Sequence, residues 1–134
     1  GKLGYLICNE AFYPEHGRAL GIQGCEVMIR SSGMAEPDGS PPQQLWEISN
    51  RAHAAFNTMY VVACAPGFLY VKGNPLNAYP GQSMIVDFHG ALLQLVSYPG
   101  EGITASQISL ETLRRRRIDP RQNWLTQLRT EAYK

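Results

Sequence analysis

Between residues 43 and 65 the apolar pattern changes period with no linker between its two halves. Leu45, Ile48, Ala52, Ala55 and Met59 recur at steps of three and four, which predicts a helix over 43–57 with one apolar face. Residues 58–65 then form a run dense in Tyr and Val, the composition of a buried strand. A one-faced helix joined directly to a buried strand needs a sheet to lie on. The flanking sequence repeats that logic. Residues 2–7 read as a strand, Pro14-Glu15 opens a helix running to about Gly24, and residues 25–29 read as a second strand. Pro is tolerated in a first helical turn, and Glu there suits the helix dipole.

Further along, residues 30–42 read as loop and 66–80 as a long loop broken by Gly, Pro and Asn. A strand over 82–88, a tight turn at His89-Gly90 and a partner strand over 91–96 form a predicted hairpin. Residues 103–110 alternate as a strand, and 111–117 read as a short basic helix. Residues 118–134 are a tail anchored by Trp124, Leu125 and Leu128. The fold class is α/β (α+β by some schemes): a mixed sheet with helices on one face. Its other face also needs cover, which implies a second sheet from residues outside this chain or from another subunit.

The bulk properties narrow the function classes. The chain has 134 residues, enough for a core, with 44% hydrophobic and 17% charged residues. A net charge of +1 gives no global field to select nucleic acid or an anionic membrane. The apolar run over 59–65 is far too short to span a bilayer. Three cysteines, an odd number without paired spacing, argue against a disulfide framework and favour a reducing cytoplasm. No signal peptide is visible. The chain opens on a strand without an initiator Met, which reads as a piece of a longer protein.

Cys8 stands at the end of the first apolar strand, just before a helix start. That place can lift a thiol out of a sheet, and a nearby helix N-terminus favours a thiolate. The backbone amide after it, on Asn9, can help to hold an oxyanion. From position alone a plain buried cysteine, a common state for this residue, is the weightier reading.

The stretch from Gly4 through Ile7-Cys8-Asn9-Glu10 to Pro14-Glu15 resembles the nucleophile region of the nitrilase superfamily, the carbon–nitrogen hydrolases. There a G-x-x-I-C strand end precedes an acidic residue and a Pro-Glu helix start. Four blocks follow in the family's order: residues 24–29, residues 50–62, Gly81-Gln82-Ser83-Met84-Ile85-Val86-Asp87 and the segment 103–117. The resemblance implies that residues 1–134 are the C-terminal part of one carbon–nitrogen hydrolase domain, half of a four-layer α-β-β-α sandwich. It implies a Glu–Lys–Cys triad with Cys8 as nucleophile. The Glu and the Lys would lie in an N-terminal half that this chain lacks, so the chain alone should be inactive.

The expected reaction is hydrolysis of a small aliphatic amide to a carboxylic acid and ammonia, through a cysteine thioacyl intermediate and with no cofactor or metal. Arg30-Ser31-Ser32-Gly33-Met34 resembles the R-x-x-G-aromatic loop of the aliphatic amidase and formamidase branch, with Met in place of Tyr. Ala11-Phe12 stand where N-carbamoyl hydrolases carry arginines, and the C-W-E pattern of nitrilases is absent. The alternatives are N-carbamoyl or nitrile hydrolysis, a glutaminase or acyl-transfer domain, and a non-catalytic binding protein. Phe12, Tyr13, Ser31, Ser32 and Gly33 are the pocket candidates, with loop packing an equal reading for each. Glu10 is read as a site-adjacent structural residue, and Cys25 and Cys64 as core. His16, His53 and His89 have no metal-ligand spacing. The partners expected are a small amide and further copies of the protein, with 118–134 as an oligomer arm. Neither nucleic acid nor membrane is expected.

Overall fold

The computed structural model describes residues 1–32, 43–71, 74–78, 81–96, 101–129 and 131. In chain order the strands are β1 (Leu3–Ile7), β2 (Val27–Ser31), β3 (Tyr60–Cys64), β4 (Phe68–Val71), β5 (Asn74–Ala78), β6 (Met84–Val86) and β7 (Leu92–Leu95). The α-helices are α1 (Pro14–Ile22), α2 (Gln43–Asn57) and α3 (Leu110–Ile118). Five strands make one mixed sheet in the order β1-β2-β3-β6-β7, parallel across β1, β2 and β3 and antiparallel beyond.

Strand alternation sorts the side chains to two faces. Leu6, Met28, Val61, Ala63, Met84 and Val86 point to one face and join Trp46 and Ala54 of α2 in the larger core. Leu20 of α1 packs against the same cluster. The opposite face carries Val27 and Tyr60, which pack with Phe88 and Leu113 of α3. Helices α1 and α2 thus lie together on one face, and α3 caps one end of the other. At the free end of that second face Leu3, Tyr5 and Ile7 remain more than half exposed.

Helix α1 approaches α2 closely because it carries small residues there. A Cβ at Gly17 would stand 2.0 Å from Nδ1 of His53, and one at Gly21 would stand 3.0 Å from Cβ of Asn57. Any side chain at Gly17 would therefore displace the imidazole or the helix.

Two expectations fail. The segment 66–80 is not all loop: β4 and β5 pair as a two-stranded antiparallel ribbon. Pro75 and the Asn residues hid it, yet a two-stranded ribbon tolerates Pro because both its strands are edges. Residues 103–110 form no strand, and their last residue already belongs to α3. Burial does alternate along 103–110. Ile108 and Leu110 pack on the sheet face, but Ser109 is held by a side chain: its N–H donates to the Tyr60 hydroxyl at 3.2 Å, which donates to its carbonyl at 3.1 Å. The periodicity reported a buried face and not a ladder. The predicted tight turn is present. Asp87 Oδ1 accepts from the N–H groups of His89 and Ala91, and Gly90 takes φ 84. The first part of the tail folds onto its own chain. Asn123 donates to the Arg117 carbonyl, and Leu125 comes close to Gly21.

Candidate active site

β1 ends at Ile7 and the chain enters a single 3-10 turn, Cys8–Phe12. Cys8 takes φ 51, a left-handed conformation that costs a non-glycine residue about 1–3 kcal/mol and persists only where neighbours impose it. The neighbours are identifiable. The Glu10 carboxylate accepts from the Ile7 N–H at 2.7 Å. His16 Nδ1 bonds the Glu10 carbonyl at 2.9 Å, His53 Nε2 the Ala11 carbonyl at 2.7 Å, and Arg30 Nη2 the Cys8 carbonyl at 3.3 Å. A carbonyl only accepts, so the His53 proton sits on Nε2. Burial holds the His53 pKa below its ordinary value, outweighing the Ala11 hydrogen bond that raises it.

Cys8 borders a cavity of about 470 Å³ lined by Ile7, Cys8, Ser31, Ser32, Cys64, Ala65 and Pro66. These residues stand at the carboxyl ends of the parallel strands β1, β2 and β3, where α/β sheets place their ligand sites. Ile7, Ser31 and Cys64 are register partners across the three strands and so share one face. The Tyr5 hydroxyl and Ser31 Oγ are 2.5 Å apart. The Ser32 N–H donates to the Cys64 carbonyl at 3.1 Å, closing the strand ends together. The Cys8 thiol makes a long contact of 3.9 Å to Asn9 Oδ1.

Of the pocket candidates, Ser31 and Ser32 therefore line the cavity beside Cys8, while Phe12 and Tyr13 do not. The Phe12 ring lies 4.7 Å from the Arg30 guanidinium carbon and borders a separate cleft between α1 and α2. It is drawn there because the 3-10 turn rotates it off the cavity side. Tyr13 is 58% exposed and rests on His16. Gly33 lies outside the described residues. Glu10 and Asn9 sit in the turn itself, both exposed.

Sequence reasoning missed two residues here. Cys64, read as core, is exposed on the cavity wall. Strand parity could have found it, since it falls two residues beyond Val62 on the less covered face. Cys25 is buried, and burial pushes its thiol pKa up. The second is Arg30, noted only as part of a loop motif. It is fully buried on the helix face of β2, between Phe12 and the Trp46 ring, 4.4 Å from the latter. Its Nη1 donates to Ser49 Oγ at 2.7 Å and Asn50 Oδ1 at 3.0 Å. Burial lowers its pKa to about 10, which still leaves it a cation at neutral pH. Among the described residues no group of three His, Cys, Asp or Glu side chains could hold a metal, and no helix is long and apolar enough to cross a membrane.

The family model for carbon–nitrogen hydrolases matches residues 1–118, most of the chain. The chain belongs to the carbon–nitrogen hydrolase family. It is 25% identical over 118 residues to a formamidase of Pseudomonas syringae pv. syringae, covering 87% of this chain and 32% of that protein. It is 32% identical over 117 residues to the deaminated glutathione amidase of Homo sapiens, covering 87% of this chain and 34% of that protein. The chain thus spans about a third of the length of these curated relatives. A crystal structure of a carbon–nitrogen hydrolase from Helicobacter pylori G27 superposes with a TM-score of 0.78 at 28% identity, covering 99% of this chain and 48% of that one. The mixed five-stranded α/β sheet is the carbon–nitrogen hydrolase fold over that shared part.

Proposed function

We propose that the protein carrying this chain hydrolyses small aliphatic amides, with Cys8 as its nucleophile. One observation carries the reading. Cys8 is held in a left-handed conformation at the carboxyl end of a parallel strand, on the wall of a cavity that serines and a second thiol complete. A core cysteine has no need of that strain or that opening.

In the proposed reaction the Cys8 thiolate attacks the amide carbon and the electron pair of the C=O moves to oxygen. The Asn9 backbone N–H donates to that oxyanion. The C–N bond then breaks, nitrogen takes a proton and ammonia leaves a thioester on Cys8. Water adds to the thioester, the C–S bond breaks, and the carboxylic acid and free thiol are released. The family resemblance implies a Glu that moves the protons and a Lys that shares the oxyanion, both from residues that precede this chain. Ser31 and Ser32 would contact the acyl group. The uncharged lining favours a neutral acyl chain of modest size.

Ammonia release by the full-length protein from formamide, acetamide and longer amides tests the reading. Turnover that disappears in Cys8→Ala supports it, and turnover that survives that substitution rejects it.

A further inference from the structure

Resting on the amide-hydrolase reading above, we infer that Arg30 is a positioning residue, which fixes the Cys8–Asn9 peptide so that the Asn9 N–H faces the cavity. The argument begins with the faces of β2. Ser31 points to the cavity face, and Arg30, one residue earlier, points to the opposite face under the helices. From there Nη2 reaches the Cys8 carbonyl at 3.3 Å. The peptide is trans, as are all the described peptides. In a trans peptide the C=O and N–H of one plane point in opposite directions. A carbonyl anchored beneath the sheet end therefore sends the Asn9 N–H to the other side, where the cavity lies. Rotated by half a turn, the same plane would aim a carbonyl oxygen at the developing negative charge.

The rest of the Arg30 site has the form of a mount. Two rings sandwich the guanidinium plane, and Ser49 and Asn50 of α2 hold its other nitrogen. Trp46 is itself pinned, donating from Nε1 to the Gln82 carbonyl at 2.9 Å. A planar donor with both terminal nitrogens engaged transmits its orientation to the peptide it holds. The left-handed φ of Cys8 is costly for a non-glycine residue, so the turn that carries this peptide depends on such anchors.

The test uses the full-length protein, with alkylation scored by mass spectrometry on the peptide that holds Cys8, so that Cys64 does not count. Amide hydrolysis needs the oxyanion donor, whereas alkylation of Cys8 by iodoacetamide is a displacement at carbon that makes no oxyanion. Arg30→Met should lower kcat by about 10²-fold, the usual effect of losing one such donor, while KM and the alkylation rate stay within about threefold. Arg30→Lys, which can still donate to the carbonyl, should recover at least about tenfold of the loss in kcat. A crystal structure of Arg30→Met should show the Cys8–Asn9 plane rotated. An unchanged kcat, an alkylation rate that falls in parallel with kcat, or an unmoved peptide overturns the inference. If Arg30→Met does not fold, Arg30→Gln, too short to reach the carbonyl, carries the same readouts. If the wild-type protein releases no ammonia from any amide, the functional reading fails, and the peptide's orientation in the variant still decides the role of Arg30.

Discussion

Cys8 and Thr58 are the two non-glycine residues with positive φ among those described, at 51° and 48°, and an arginine holds the carbonyl of each. They sit at opposite ends of the parallel strands. Arg30 supports Cys8 where β1 ends. Arg117 supports Thr58 where α2 hands over to β3, donating to the Thr58 carbonyl from Nε at 2.9 Å and Nη2 at 2.6 Å. The same guanidinium also reaches the carbonyls of Gly24 and Cys25. The device is shared and the surroundings differ. Thr58 is fully buried under α3, whereas the Cys8 turn opens on a cavity. Backbone strain with an arginine brace is thus not a mark of chemistry by itself. Strain at an opening, on a nucleophile, is.

Substitutions at the two ends should separate. Cys8→Ala is expected to cut amide turnover by more than about 10⁴-fold with little loss of folding stability, measured by ammonia release beside a denaturant curve. Arg117→Met should do the reverse. Up to three carbonyls lose their donor in a partly buried place, so stability should fall by about 2–4 kcal/mol, while kcat of the folded fraction stays unchanged. A large kcat effect from Arg117→Met would erase the distinction.

Acidification probes both ends through depressed pKa values. At the Thr58 end the Arg114 guanidinium hydrogen-bonds Glu26 and holds its carboxyl down at about 2, helped by the Lys2 N–H at 2.8 Å. Its folded pKa lies below the unfolded one, so its stabilisation is complete above about pH 4.5 and fades as pH falls toward 2. At the Cys8 end, burial lowers the His53 pKa. The folded state resists that proton while the unfolded chain accepts it, so stability should already decline as pH drops below about 6.5. Thermal unfolding of the wild type and His53→Gln between pH 8 and 3 checks this: the upper part of the decline should vanish in the variant and the lower part should remain. The smallest effect is expected from Thr58→Gly. Relief of the left-handed strain offsets lost packing, and the net change should stay within about 1 kcal/mol.

How much of this was legible in the sequence depended on what each pattern measures. The 43–57 periodicity and the dense apolar run after it located α2 and β3 because burial on one face dictates both. Cys8 was legible from its strand-end position and its neighbouring motif. Of the wall opposite, Ser31 and Ser32 were marked by the motif that carries them, and Cys64 was not. Cys64 and Ser31 meet Cys8 through strand register, which places residues 23 and 56 positions away beside it. Phe12 and Tyr13 looked like pocket residues by adjacency, but the 3-10 turn rotates them to the helix side, a twist that composition does not encode. Arg30 was hidden for another reason. A charged residue in a strand is ordinarily read as exposed, and only the rings and carbonyl around it make its burial affordable.

Gly17 extends the point to mutational tolerance. Its missing side chain is the space into which the His53 imidazole fits, and through it the Ala11 carbonyl is held. A survey of tolerated substitutions should therefore find this position on α1 as restrictive as the cavity wall, although it touches no substrate. In homologous sequences the same geometry predicts paired drift: a larger residue at 17 should accompany a smaller one at 53, each change permitted only by the other.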